Sequence, residues 1–197
     1  MTDDDADAAA VRDPGRRPTT DRSGPRTFAG VGALSATALL LLSEGWYRGV
    51  EAALAGRALS GLLGFPVMIS RPLRTVFFAF DGTGPAHMLG LQVTLGCSSD
   101  LLLAPVLLFT GVLLLFGRSS APRVLLAALI AASVVVLVNT LRLMLIAVLV
   151  DWWGVETGFG WGHTLFGSVL TLAGMAVALG VFVVAVGRDR RGGARAA

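Results

Sequence analysis

Apolar residues gather in long runs along this chain, and the runs set the first expectations. Membrane-spanning helices are expected at roughly residues 28–47, 98–116, 124–150 and 163–186. The last three continue for about 18 residues or more with almost no charge, the length needed to cross a hydrocarbon core of ~30 Å. The first is the weakest, with glycines early and Glu44 near its end. Between the first two, residues 48–64 place Val50, Leu54, Ala58 and Leu62 at helical spacing, with Glu51 and Arg57 off that stripe. That pattern predicts an amphipathic helix lying along the interface or packed over the bundle. The chain then changes period. VFFAF, a turn signal at Asp81-Gly82-Thr83-Gly84-Pro85, and an alternating HMLGLQVTL predict a small β-hairpin ending just before Cys97. A hairpin cannot face lipid, so water or the bundle must cover it.

The fold class expected is therefore an all-α integral membrane protein. It has about four transmembrane helices, an interfacial amphipathic helix and a small extracytoplasmic β-hairpin. Composition agrees, since hydrophobic residues make up 54% of the chain and charged residues only 15%. The mean hydropathy is +0.74. Soluble domains usually hold about a quarter charged residues. Residues 1–26 differ: they are rich in aspartate, arginine and proline, and a disordered cytoplasmic tail is expected there. The acidic start lacks a basic segment joined to an apolar core, so no cleavable signal peptide is expected. Residues 27–187 form the polytopic domain, and 188–197 a basic cytoplasmic tail. No internal repeat is visible.

A formal charge of +3 alone would suit a nucleic-acid partner, but the placement of the charge argues against it. Every basic residue is arginine, and most sit at the chain ends or in short loops flanking apolar runs. These are topology determinants. Loop 117–123 holds two arginines and no acid, whereas segment 151–162 holds Asp151 and Glu156 and no base. The positive-inside rule then puts both termini and loop 117–123 in the cytoplasm of a multi-pass cell-membrane protein. Four arginines in 48–96 run against this, but long connections obey the rule less strictly. The tryptophans of segment 151–162, Trp152, Trp153 and Trp161, suit the opposite interface.

With that orientation three reactive residues reach one membrane face. Cys97, the single cysteine, opens the second span and His163 opens the fourth. Arg142 lies nine residues before Asp151, so its Cα sits at most ~14 Å below the helix end, and a long side chain can rise toward the interface. Ionisable groups at membrane depth are expensive and point by default to function. A thiolate attacks carbonyl carbon, a guanidinium stabilises developing negative charge, and an imidazole moves a proton at neutral pH. Asn139, three residues before Arg142 on the same helical face, is expected to orient the guanidinium or bind substrate backbone. Ser98 and Asp100 are expected to shape the start of the second span. His87 has no partner pattern and reads as a solvated loop residue. One cysteine and two separated histidines make no metal-ligand cluster, and no cofactor is implied.

The segments GCSSDLLLAPVLL, VNTLRLMLIAV and GHTLFGSVLTL resemble the three signature segments of the exosortase/archaeosortase family. The resemblance covers roughly residues 90–180. It implies a polytopic membrane enzyme with a Cys, Arg and His triad, acting on exported proteins that end in a short motif, a transmembrane helix and a basic cluster. Cys97 would then be the nucleophile, Arg142 the oxyanion and thiolate stabiliser, and His163 the general acid/base. Ser99 stands where family members usually carry glycine, and four spans are fewer than the eight or so of many members, so a compact member is implied. The rival reading is a non-enzymatic membrane component, an assembly subunit or small transporter element. An intramembrane serine protease is disfavoured, because no serine is paired as well with histidine or lysine.

Overall fold

The computed structural model describes residues 23–79, 88–117 and 119–193. Five helices and one small sheet form the described chain: α1 (Ser23–Leu42), α2 (Glu44–Leu63), β1 (Val67–Ser70), β2 (Thr75–Ala79), β3 (Met88–Gln92), α3 (Asp100–Phe116), α4 (Ala121–Gly160) and α5 (Gly167–Gly193). Two apolar stretches are long enough to cross a membrane, Gly24–Leu42 and Ala121–Gly187, and the second doubles back on itself; α3 is a shorter apolar helix.

Several boundaries differ from expectation. α1 begins inside the segment expected to be a disordered tail, while residues 1–22 lie outside the described residues. The reason is a tertiary contact. Arg26 donates to the carbonyls of Leu114 at 2.7 Å and Leu113 at 3.0 Å, and also to that of Gly117. These carbonyls lie at the end of α3, and although that of Leu113 already accepts the Gly117 N–H at 2.9 Å, a cation there adds a donor and complements the helix dipole. α1 packs along α3 with backbones close together. A Cβ on Gly30 would stand 2.8 Å from Leu115, and one on Gly111 would stand 2.7 Å from Leu34. The first span also stops at Leu42, short of the expected 47, because α2 already starts at Glu44.

α2 is helical as expected but presents the opposite face. Leu54 and Leu62 of the supposed packing stripe are exposed, whereas Gly49, Glu51, Ala52, Ala53, Ala55, Gly56 and Leu59 are buried. Small residues let the helix approach other backbone closely. A Cβ on Gly49 would lie 2.9 Å from the Arg71 carbonyl, and one on Gly56 would lie 2.7 Å from Ile69. The helix ends at Gly64, whose φ of 72° supplies the left-handed cap, and the N–H of Phe65 reaches back to Leu59.

The expected hairpin is a three-stranded antiparallel sheet in the order β1-β2-β3. β2 pairs with β3 from Thr75↔Gln92 to Ala79↔Met88. β1 adds a strand from Val67↔Phe78 to Ser70↔Thr75. The turn signal at 81–85 and His87 lie outside the described residues. One face of the sheet covers α2, and Phe78, Val76 and Leu91 enter a core shared with Leu59, Leu143, Ile146, Val150 and Cys97.

The segment 151–162, between the third and fourth expected spans, is mostly helix. A single residue reverses it: Gly154 has φ 77° and ψ 171°, the only non-helical backbone inside α4. Helix resumes at once and passes through a π-helical turn, Trp161–Phe166, into α5. The returning arm packs antiparallel on α4 through small residues. A Cβ on Gly162 would lie 3.2 Å from the Ile146 Cα, and one on Gly174 would lie 2.6 Å from Val138. Pro122 stands in the first turn of α4, where its missing N–H costs nothing.

Candidate active site

Cys97 closes a short 3₁₀ turn, Leu95–Cys97, between the end of β3 and the start of α3. Its N–H donates to the Thr94 carbonyl at 3.0 Å. The thiol is 4% exposed and belongs to the core beneath the sheet. His163 comes from the π-turn, where the wider winding shifts the ring from the direction a regular helix would give it. Such single π-turns recur at functional sites. The imidazole stacks on Phe159, with ring centroids 5.3 Å apart and planes within 3°. Its Nδ1 lies 3.4 Å from Cys97 Sγ, within reach of a sulfur hydrogen bond.

Arg142 projects from the middle of α4 and is only 7% exposed. One terminal nitrogen, Nη1, donates to the carbonyl of Gly96, the residue before Cys97, at 3.2 Å. Its Nε is buried and has no hydrogen-bond partner among the described residues, and no ion pair to Arg142 is found among them. An unpartnered buried donor is costly. Gly167, four residues beyond His163, makes the room: a Cβ there would stand 2.7 Å from Nε. Sulfur, imidazole and guanidinium, spread over 66 residues of sequence, thus converge where α3, α4 and the π-turn meet.

The three supporting residues act only in part as expected. Asn139 does not orient the guanidinium; its Nδ2 donates to Glu51 Oε1 at 2.8 Å. Ser98 is not the cap of α3, since the helix starts at Asp100 with Ser99 before it and no side-chain cap bond. The Ser98 hydroxyl donates to Glu51 Oε2 and accepts from the N–H of Asp100, the first residue of α3, at 3.4 Å. Asp100 does lie in the first turn, where its carboxylate accepts from the Leu101 N–H at 2.7 Å and complements the helix dipole.

Glu51, Ser99 and Tyr47 escaped the sequence reading. Glu51 Oε1 accepts from the Ser99 N–H at 3.0 Å and from the Ser99 hydroxyl at 2.6 Å, beside the Asn139 contact. The Tyr47 hydroxyl lies 2.8 Å from the Ser99 hydroxyl. The available signal was the one that exposed Arg142: a charge set among small residues, in GVEAALAG.

Together these features describe a helical membrane protein with a buried polar site under a small sheet. A family model described as transmembrane exosortase matches residues 25–180. The match spans most of the chain, and the protein belongs to the transmembrane exosortase family. No curated protein and no solved structure gave a significant match.

Proposed function

We propose that this exosortase is a cysteine transpeptidase or protease that processes C-terminal sorting signals of exported proteins at the outer face of the cell membrane. The observation that carries this reading is the 3.4 Å approach of Cys97 Sγ to His163 Nδ1, beside a guanidinium with an unpartnered buried donor. In the proposed reaction the Cys97 sulfur attacks the scissile carbonyl carbon while His163 takes the thiol proton. Arg142 donates to the oxygen as its charge develops, which is where a preorganised donor lowers the barrier most. His163 then passes the proton to the departing amine. The carbon–nitrogen bond breaks and a thioester remains on Cys97. Water or an amine resolves it and restores the thiol.

Four helical spans carry the site in this reading: α1, α3 and the two arms of the α4–α5 hairpin. Both termini lie in the cytoplasm, and the sheet, α2 and the Gly154 reversal lie outside. The exposed Trp152, Trp153 and Trp161 support that side as an interface, where aromatic residues concentrate. The substrate's own helix would dock laterally through lipid, with its scissile bond above the membrane. Substitution at the sulfur tests the proposal. Cys97→Ala and Cys97→Ser should both abolish processing while the protein accumulates in the membrane. Retained function in Cys97→Ser would favour the assembly-subunit or transporter reading.

A further inference from the structure

Glu51 is 4% exposed and has no ion-pair partner among the described residues. A carboxylate so placed should be a liability unless hydrogen bonds to its charged form compensate. It receives four: from the Ser98 hydroxyl, the Ser99 N–H, the Ser99 hydroxyl and Asn139 Nδ2. The four donors sit on two elements. Ser98 and Ser99 form the two-residue link between Cys97 and α3, and Asn139 lies one helical turn before Arg142 on α4. The carboxylate therefore ties the backbone just after the thiol to the helix that carries the guanidinium, from a third element, α2. The Tyr47 hydroxyl of α2 also meets the Ser99 hydroxyl at 2.8 Å, but it does not reach α4. The Arg142 contact to Gly96 holds the other side of the cysteine.

We propose that Glu51 is the positioning residue of the nucleophile: its carboxylate bridges Ser98 and Ser99 to Asn139, so that Cys97 stays against His163 and beneath Arg142. Glu51 touches neither sulfur nor imidazole and moves no proton; it acts through the two serines. The assignment rests on the thiol–imidazole reading of the site. It depends on the reach of the side chain, and this distinguishes it from a general electrostatic role. Glutamine matches that reach: its oxygen can keep the Ser99 and Asn139 donors, and its Nε2 can donate to the Ser98 hydroxyl, which accepts as readily as it donates. Aspartate keeps the charge but is one methylene too short to span the gap.

The test measures alkylation of Cys97, the single cysteine, by a small maleimide in intact membranes between pH 5 and 10. It is run on the full-length protein and on Glu51→Ala, Glu51→Asp, Glu51→Gln and His163→Ala. His163→Ala removes the imidazole 3.4 Å from the sulfur, the group placed to take the thiol proton, so the wild type and His163→Ala should give different profiles. Glu51→Ala and Glu51→Asp should both move the profile toward that of His163→Ala. In parallel, kcat for sorting-signal processing should fall on the order of a hundredfold with KM little changed, the cost of misplacing a reacting atom by about an ångström. Glu51→Gln should stay within a few-fold of wild type in both readouts. A wild-type profile in Glu51→Ala or Glu51→Asp overturns the proposal. If Glu51→Ala fails to accumulate, the other two decide, and an impaired Gln variant beside a normal Asp variant likewise overturns it. Identical wild-type and His163→Ala profiles would instead sink the thiol–imidazole pair itself, which separates the two failures.

Discussion

The part of the molecule under the sheet and the part between the lower arms of the helices are packed on opposite terms. Beneath the sheet, large side chains from α2, β2, β3 and α4 interdigitate. Phe78, Leu59, Ile146 and Val93 are fully buried there, with Cys97 among them. Between the lower arms the contact layer is Ala127, Ala128, Ala131 and Ala178, with Leu103, Val135 and Phe182 beside them. The large residues of these arms, Leu129, Leu137 and Leu172 among them, point outward. In water this would be an inside-out helix pair. In lipid it is the expected arrangement, because acyl chains solvate leucine as well as another leucine does, and helices associate through close backbone contact. The first region excludes solvent as a soluble domain does, and the second assumes a bilayer. The candidate site lies in the first, where low local dielectric strengthens each hydrogen bond and makes an unmade one costly.

The largest expected effect tests that difference directly. Phe78→Ala removes a fully buried ring from the core beneath the sheet, where Phe65 meets it edge-on at 6.1 Å. Truncations of this kind cost about 3–5 kcal/mol. Unfolding in detergent micelles should show a loss of that size together with lost processing, because the same core seats Cys97. A loss below about 1 kcal/mol would mean that the sheet does not form a solvent-excluded layer over the helices, and the contrast between the regions would collapse.

The contrast also explains what could be read without coordinates. Cys97, Arg142 and His163 stand out in the sequence because each interrupts an apolar run, and a polar residue in such a run is a strong local signal. Glu51 carries the same signal more faintly, in a helix where the spacing of Val50, Leu54, Ala58 and Leu62 looks like an ordinary buried stripe. That inference uses the rule for helices in water. For α2, Leu54 and Leu62 are exposed while the buried face is mostly small residues around Glu51 and Leu59, so the rule fails there and hides Glu51. β1 was invisible for another reason. Four residues, VMIS, between Pro66 and a turn carry too little period to identify a strand, and only pairing with β2 defines it. The reversal at Gly154 rests on one left-handed glycine in a segment whose tryptophans and glycines conceal helical periodicity. Ser98 and Asn139 were noticed for their position, yet their common partner lies far off in sequence, and such pairing is not written locally.

A smaller effect separates site geometry from stability. Gly167→Ala introduces a Cβ that would lie 2.7 Å from both Arg142 Nε and the Gly162 carbonyl oxygen, so the guanidinium stem and the π-turn backbone must both shift. Alanine is the better helix former by about 1 kcal/mol, which offsets part of that shift, so stability should fall by no more than about 1–3 kcal/mol. Processing should fall roughly ten- to a hundredfold in kcat, since the displaced donor no longer meets the developing oxyanion. Unchanged kcat would remove Arg142 from the reaction. A loss well beyond that range would instead assign the glycine to helix packing, as at Gly174 against Val138.

The smallest effect belongs to the outer surface of the helical arms. Leu172 is 71% exposed on α5, and in a soluble protein such a residue would be a candidate contact patch. If only lipid covers it, Leu172→Ala exchanges one apolar surface in acyl chains for a smaller one and leaves no cavity. The unfolding free energy in micelles should then change by no more than about 0.5 kcal/mol, the range of substitutions away from packed features. A cost of about 2–5 kcal/mol, as for a leucine in a protein core, would mean that protein rather than lipid covers this face. A second copy of the chain or a substrate helix would be the candidates, distinguished by whether the cost depends on protein concentration or on added substrate. The leucine then measures what solvates the lower arms, which the fold alone does not distinguish.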